Sequence, residues 1–249
     1  MAAAASHEPA AILSHLQSAD GSATFSYAGY TVTGAVNGPI EVQRRDELPE
    51  EAVVDVIVRP AAGVGGTRER HLEALLQSTL RQIILIGNFP RTLIQITLQV
   101  IVAPENEYVN TKVTQASTNL PILPALMQTS ILALLSAAIP LTATLTSAAL
   151  AVDENSSIVA NPTAREIELS KSLHVFAYTS HDDLVLSESE GEFTFEEWSN
   201  AQEAARQQCC KLARSEDVDM DADARAGADL KEFTRSTMEA QITSDLHWK

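Results

Sequence analysis

The hydrophobic pattern is most regular between residues 63 and 140, where it predicts a helix, a strand and a second helix in succession. Over residues 72–88, apolar side chains recur at three- and four-residue spacing, which places them on one face of a helix. Residues 93–102 are β-branched and partly alternating, and they predict a strand buried largely on both faces. Residues 126–138 are uncharged all round and predict a fully buried helix, halted by Pro140.

The pattern before this stretch predicts a small sheet. Alternating and β-branched segments predict strands over residues 24–27, 30–36, 40–42 and 52–58. We expect these strands to form an antiparallel meander ahead of the first helix. Residues 11–16 carry a short amphipathic pattern that predicts a surface helix.

The pattern after this stretch predicts more strands and two more helices. Strands are expected over residues 144–152, 158–159, 173–178 and 184–188. A helix is expected over residues 196–214, with a buried face formed by Trp198, Ala201, Ala205 and Leu212. The acidic run at residues 216–223 predicts disorder, and residues 230–249 predict a short docking helix.

The uncharged interval between Lys112 and Asp153 raises the question of a membrane span. Pro121, Pro124 and Pro140 interrupt this interval, Ser and Thr are frequent in it, and no cluster of Lys or Arg follows it. A helix buried on all sides and followed by a strand accounts better for the pattern. We therefore expect no membrane association.

The composition is that of a globular protein with a strong negative charge. Hydrophobic residues make up 45% and charged residues 20% of the 249 residues, which argues against a disordered chain. The net charge of −16 repels a phosphate backbone, so RNA contact is expected only through local basic loops inside a larger assembly. The cysteines Cys209 and Cys210 are adjacent and predict reduced thiols in a cytosolic or nuclear protein. Residues 1–8 lack the pattern of a signal peptide.

Several short motifs occur in a recognisable order along the chain. The central ones are a glycine-broken basic loop at residues 63–70, the sequence F-P-R-T at 89–92, the apolar strand and the uncharged helix. The flanking ones are G-A-V-N-G-P-I-E at 34–41, N-P-T at 161–163 and G-E-F-T-F-E-E at 191–197. Together they resemble the RNase PH family, and the greatest likeness is to the eukaryotic exosome ring subunits.

The resemblance implies a fold and a division of the chain. The implied fold is an α+β RNase PH-like domain of the ribosomal protein S5 domain 2-like class, with mixed sheets and central helices. This domain would occupy residues 22–214. An N-terminal segment at residues 1–21 would precede it, and an acidic linker with a C-terminal segment at residues 215–249 would follow it.

The basic loop at residues 63–70 has the makings of an anion site. It combines flexible glycines, free amides at a helix start, and the guanidinium groups of Arg68 and Arg70. It lacks the ending of a nucleotide-binding P-loop. In the RNase PH family the matching loop contacts phosphate or the RNA backbone, so the resemblance implies RNA binding by Arg68 and Arg70. The alternative is that both arginines are solvated or pair with acidic neighbouring subunits.

Two functional elements of active family members are absent from the matching positions. Residues 103–108 stand where those members carry a glycine-rich turn with a second phosphate-binding arginine, and they offer two carboxylates and no arginine. Counted from the strand at residues 158–159, the place of the catalytic aspartate falls on Ser172. A serine hydroxyl can neither act as a carboxylate base nor hold Mg²⁺ as a carboxylate does. The resemblance therefore implies no catalytic residue in this chain.

The function implied is that of a non-catalytic structural subunit of the exosome core ring. The implied partners are other RNase PH-like subunits in a hetero-hexameric ring, RNA-binding cap subunits, a separate nuclease that receives the threaded RNA, and RNA itself. The runner-up is a phosphate-dependent 3′–5′ exoribonuclease that uses Arg68 and Arg70 with Glu166 or Glu168. A third possibility is an interaction protein outside the exosome.

No cofactor and no metal site is expected. The run His181-Asp182-Asp183 contains metal-ligand residue types, but adjacent residues in an extended turn do not converge on one ion. These three residues are therefore interpreted as a solvated hairpin tip.

Overall fold

A computed structural model of the chain describes residues 9–104, 120–154, 156–210 and 229–247. Two β-sheets are layered with helices in the order first sheet, central helix, second sheet, outer helix. The α+β architecture with central helices agrees with the expectation from the family resemblance.

The first sheet has five strands in the spatial order β1-β2-β3-β5-β4. Their bounds are β1 Ala10–Leu13, β2 Gly21–Tyr27, β3 Tyr30–Glu41, β4 Val53–Arg59 and β5 Thr92–Val102. The predicted segments 30–36 and 40–42 form one strand with an irregularity between Asn37 and Ile40. The prediction of a continuous meander is wrong for β4, which pairs in parallel with β5. Parallel neighbours need a long crossover, and helix α1, Thr67–Ile83, supplies it.

The surface helix predicted at residues 11–16 is wrong, because this segment begins with the edge strand β1. Ala11 and Leu13 alternate with the exposed Ile12, and all four residues of β1 pair with β2. An isolated six-residue helix has no compensation for its nucleation cost, whereas a short strand gains hydrogen bonds from a preformed neighbour. The pairing also joins part of the predicted N-terminal segment to the sheet.

Helix α1 confirms the predicted periodicity but ends earlier than expected. Its buried side chains lie on one face, namely Leu72, Leu76, Thr79, Leu80 and Ile83. The next residue, Ile84, has extended backbone and bridges to Leu141. The residues expected to end α1, Gly87 and Asn88, instead lie in a separate 3-10 turn.

The central helix α2, Leu123–Ser136, contacts both sheets and is buried along its first twelve residues. This confirms the prediction from its uncharged sequence. On the first sheet, β5 buries Ile94, Ile96, Leu98 and Val100 and leaves the alternate residues half-buried, so the prediction of burial on both faces is wrong. Among the described residues, no helix combines the length and apolar character that a bilayer crossing requires.

The second sheet is antiparallel, with four strands in the order β7-β6-β8-β9. Their bounds are β6 Leu145–Val152, β7 Ile158–Ala160, β8 Ser172–Thr179 and β9 Leu184–Gly191. Alternate residues of β6 and β8 face α2 on one side and α4, Phe195–Cys210, on the other. The short helix α3, Ala164–Leu169, was not predicted; it begins at a capping box formed by Thr163 and Glu166.

The two C-terminal helices pack on this frame. In α4, Ala201 and Ala205 are buried and Trp198 is half-buried, as predicted, while Leu212 and the acidic run at 216–223 lie outside the described residues. The predicted docking helix is α5, Leu230–Leu246. Its N-terminal half docks: Gln128 Nε2 donates a 2.5 Å hydrogen bond to Thr234 Oγ1, and Phe233 contacts the core. The division of the chain into three segments stays a prediction.

Candidate nucleic-acid interface

The basic loop connects the end of β4 to the start of α1 at the surface. Residues 61–67 are all exposed, and Gly63 has a φ of +84°, a conformation that favours glycine. Arg68 is half-buried and Arg70 is exposed. The loop therefore presents its backbone and Arg70 to solvent, and RNA binding by Arg68 and Arg70 stays a prediction.

The helix start in this loop already holds a carboxylate. The backbone N–H of Gly66 donates a 2.6 Å hydrogen bond to Glu69 Oε2, which is one half of a capping box. A carboxylate at this position also interacts favourably with the positive end of the helix dipole. An incoming phosphate would have to compete with Glu69, so the helix start is a weaker anion site than the sequence predicted.

A second carboxylate lies beside Arg70. Glu73 Oε2 is 3.7 Å from Arg70 Nη1, and Glu73 Oε1 accepts a 2.9 Å hydrogen bond from the Val58 N–H. On the same helix face, Gln77 Nε2 donates a 2.7 Å hydrogen bond to the Val54 carbonyl. Glu73 and Gln77 thus satisfy the backbone of the outer edge of β4, which would otherwise be open to pairing with another strand.

A groove of about 420 Å³ runs between β4 and the start of α1. Its charged lining residues are Asp55, Arg59, Glu69, Arg70 and Glu73. Three carboxylates outnumber two guanidinium groups, so the groove itself does not attract a phosphate. If the loop contacts an RNA backbone, the contact is expected at the outer surface of the loop, where the side chain of Arg70 is 84% exposed.

The position expected for the family's catalytic aspartate lies on the second sheet. Ser172 is the first residue of β8 and is only 3% exposed. Its Oγ is 3.0 Å from Nε2 of the fully buried His174, and Nδ1 of His174 is 2.8 Å from Ser189 Oγ on β9. A neutral imidazole donates from one nitrogen and accepts at the other, so both ring nitrogens of His174 are satisfied.

The surroundings keep the His174 ring neutral. Burial lowers the pKa of His174 below its usual value, and the nearby charge of Glu197 opposes this only in part. Phe193 packs edge-on against the ring at a centroid distance of 4.8 Å. Sequence analysis missed this hydrogen-bonded chain, although the two-residue spacing of Ser172 and His174 places both side chains on one face of a strand.

Glu197, near the same end of the second sheet, is a fixed anion. It accepts hydrogen bonds from the Thr194 N–H at 2.8 Å, Ser156 Oγ at 2.9 Å and Lys171 Nζ at 3.3 Å. These donors, the Thr194 amide first, lower the pKa of Glu197 to about 2. A carboxylate with so low a pKa is a poor proton acceptor near neutral pH, so Glu197 is unsuited to general-base chemistry.

The two regions do not form one site. Ser172 is not among the residues that line the groove, and α2 lies between the two sheets. The carboxylates of the runner-up hypothesis do not line the groove either: Glu166 caps α3 by accepting from the Thr163 N–H at 2.8 Å, and Glu168 is exposed. Most of residues 103–108, predicted to replace a phosphate-binding turn, lie outside the described residues.

The remaining sequence candidates have structural roles. Residues 181–183 form an exposed turn between β8 and β9, as predicted, and the described part of the chain contains no cluster of metal-ligating side chains. Cys209 is buried on α4, and the reduced state of the two cysteines stays a prediction. The side chain of Cys210 is not described.

Comparison with known proteins decides the family. The profile described as "3′ exoribonuclease family, domain 1", RNase PH, matches residues 8–140. The chain belongs to the RNase PH family. The match contains the loop, α1, β5 and α2, which are the elements that carried the resemblance.

Individual relatives within the family are components of exosomes. The chain is 33% identical over 208 residues to "Exosome complex component RRP46" of Saccharomyces cerevisiae, covering 81% of this chain and 88% of the relative. The short, single-domain layout of the chain predicted a similarity to ribosomal RNA-processing protein 46, and this match confirms that similarity.

Solved structures of the family share the fold. The crystal structure of rice (Oryza sativa) Rrp46 superimposes with a TM-score of 0.73 at 24% identity over 93% of this chain and 94% of that one. The Archaeoglobus fulgidus exosome with RNA bound to the active site gives a TM-score of 0.65 at 13% identity over 81% of this chain and 85% of that one.

Proposed function

We propose that this protein is a non-catalytic structural subunit of an RNA exosome core ring that supports 3′–5′ RNA processing and degradation, including the processing of ribosomal RNA. The observation that carries the proposal is the similarity to the yeast exosome component RRP46, which extends over most of both chains. The partners are other RNase PH-like subunits in a hetero-hexameric ring, cap RNA-binding subunits, a separate nuclease and RNA. The complex acts in the nucleus, the nucleolus and the cytoplasm.

The non-catalytic role is supported by the chemistry at Ser172. Its hydroxyl is buried and hydrogen-bonded to His174, so the position offers no carboxylate that could act as a proton acceptor or as a ligand for Mg²⁺. The carboxylate of Glu197 is held by Lys171, Ser156 and the Thr194 amide. The groove beside the basic loop has an excess of carboxylates.

Arg68 and Arg70 supply sequence-independent contacts to the RNA backbone in this proposal. A chain with a net charge of −16 binds RNA poorly alone, so the contacts operate inside the ring, where other subunits contribute charge. Each arginine that contacts a phosphate adds about one released counterion to the salt dependence of binding. The strength of binding therefore depends on salt and not on base sequence.

The test is a charge reversal in the reconstituted ring. The Arg68→Glu, Arg70→Glu double variant should assemble normally, weaken binding of long single-stranded RNA, and lower the salt slope by about two counterions. The matched control is the Arg45→Glu, Arg235→Glu double variant, which changes charge equally at side chains that are 88% and 82% exposed and lie outside the loop.

Two outcomes would contradict the RNA-binding role of the loop. Unchanged RNA binding and salt slope in the loop variant would mean that Arg68 and Arg70 are only solvated. Failure of the loop variant to assemble, with normal assembly of the control, would mean that these arginines pair with carboxylates of a neighbouring subunit.

A second candidate function is phosphate-dependent 3′–5′ exoribonuclease activity. The family description itself favours this candidate. It would use Arg68 and Arg70 with Glu166 or Glu168. Purified protein, incubated with single-stranded RNA, inorganic phosphate and Mg²⁺, would then release nucleoside diphosphates above the level of an Arg68→Ala, Ser172→Ala double variant. Our proposal predicts no release above that level.

A further inference from the structure

An exposed apolar corner lies where α3, β9 and α4 meet. It consists of Leu169, Phe193 and Phe195, whose exposed fractions are 70%, 40% and 79%. The segments that carry these residues are joined by a backbone hydrogen bond of 3.2 Å from the Glu192 N–H to the carbonyl of Lys171, two residues after Leu169. Exposed aromatic side chains on neighbouring segments are characteristic of an interaction surface.

The aromatic side chains of this corner are held by rigid neighbours. Phe195 stacks on Trp198 at a centroid distance of 6.0 Å and an interplanar angle of 23°. Phe193 packs edge-on against the buried ring of His174. Neither residue is needed to cap α4, since Thr194 and Glu197 form the hydrogen bonds at the helix start. The rings are therefore preordered for contact with a partner, which lowers the entropic cost of binding.

The rim of the apolar corner is acidic. Carboxylates of the adjoining segments outside the Lys171–Glu197 pair include Asp153, Glu154, Glu168, Glu192 and Glu196. The turn that carries Asp153 and Glu154 is tied to this region by the hydrogen bond from Ser156 to Glu197. The described cations of these segments are Arg165 at the start of α3, Lys171, and Arg206 on α4. The corner thus has an apolar centre surrounded by negatively charged side chains.

We propose that this corner docks a protein segment that combines apolar side chains with lysine or arginine. The apolar side chains cover Phe195, Leu169 and Phe193, and the cations lie over the carboxylate rim. RNA does not fit, because its phosphates would approach the same carboxylates. A second copy of the corner does not fit either, since two acidic rims would face each other. The inference is independent of ring membership.

The probe is a synthetic helical peptide with leucine on one face and lysine on the other. In a Trp248→Phe background, Trp198 is the remaining tryptophan of the chain and reports directly on its neighbour Phe195. We expect saturable binding, seen as a change in Trp198 emission that weakens with salt. A peptide with glutamate in place of lysine and a uridine oligonucleotide should each bind at least about tenfold more weakly.

Variants locate the binding surface. The double variant Leu169→Ser, Phe195→Ser should bind the lysine peptide at least about tenfold more weakly. Its affinity is measured by competition with a labelled peptide. The matched control is Ile242→Ser with Leu246→Ser, which removes two apolar side chains that are 50% and 51% exposed on α5; binding should stay within about twofold. Glu192→Gln with Glu196→Gln should weaken binding several-fold and reduce its salt dependence.

Four results would overturn the proposal. They are absence of saturable binding, equal binding of the glutamate peptide, equal loss in the corner and control variants, and an RNA affinity that falls when Phe195 is replaced. Because all the substituted side chains are exposed, unchanged thermal melting should accompany each variant and separates loss of binding from loss of fold.

Discussion

The hydrogen-bonded chain Ser172–His174–Ser189 leads to a specific stability prediction. In Ser172→Ala, Nε2 of the fully buried His174 loses its partner at 3.0 Å. Leaving such a buried polar group unsatisfied costs about 1–3 kcal/mol, which for a chain of this size lowers Tm by roughly 2–4 °C per kcal/mol. Ser189 is half-buried, so water can replace its hydroxyl, and Ser189→Ala should cost less.

The measurement is thermal and denaturant unfolding of the two variants and one control. Ser130→Ala is the control, because the hydroxyl of this buried serine bonds at 2.8 Å to the Leu126 carbonyl within its own helix and its loss leaves no group orphaned. Equal stability of Ser172→Ala and wild type, or a larger loss in Ser189→Ala, would refute the reasoning. It would mean that Ser172 does not position the histidine.

Further predictions concern packing, pH and the sheet edge. A Cβ at Gly21 would lie 2.3 Å from the Ala137 nitrogen, so Gly21→Ala should destabilise the fold by about 1–3 kcal/mol or more. A Cβ at Gly87 would meet open space, so Gly87→Ala should be neutral or slightly stabilising. Urea unfolding of the two variants tests both expectations. The folded pKa of Glu197 is about 2 against an ordinary value of 4.5, so its contribution is complete above pH 4.5 and disappears as the pH falls towards 2. Glu197→Gln should therefore lower stability near pH 7 and flatten its acid dependence in that window, while Glu190, whose pKa burial raises, contributes with the opposite sign in both proteins. Glu73→Ala should speed hydrogen exchange at the Val58 amide without altering that of the Thr97 amide in the sheet interior.

The hydrophobic pattern of the sequence correctly predicted the helices and strands whose burial is the same along their whole length. The uncharged sequence around α2 admits only burial, and the structure places this helix between two sheets. The sequence of β6 is uncharged, and this strand is likewise buried on both faces, by α2 and by α4. In α1 the periodicity gave the buried face correctly.

Elements decided by distant partners could not be predicted in the same way. The parallel pairing of β4 with β5 depends on a crossover through α1, and β1 is a strand only because β2 offers it an edge. Helix α3 is six residues long and owes its start to the reciprocal bonds of Thr163 and Glu166. Periodicity over so short a segment carries little information.

The candidate site was predicted in part. The sequence located the basic loop and its exposed Arg70, but it did not indicate that Glu69 and Glu73 already bond the helix start and the edge of β4. It placed Ser172 at the start of a core strand. The link from this serine through His174 to β9 needed the register of the two strands, in which His174 lies opposite Ser189.

Native mass spectrometry of the chain co-expressed with other RNase PH-like exosome subunits tests the central claim most directly. A structural ring subunit should occur as one copy in a hetero-hexamer, because family ring assembly buries surfaces that a solitary chain exposes. The account predicts this single-copy assembly and a stable heterodimer as its building block. A chain that remains a monomer at micromolar concentration in the presence of these subunits, or that forms only homo-oligomers, would contradict it.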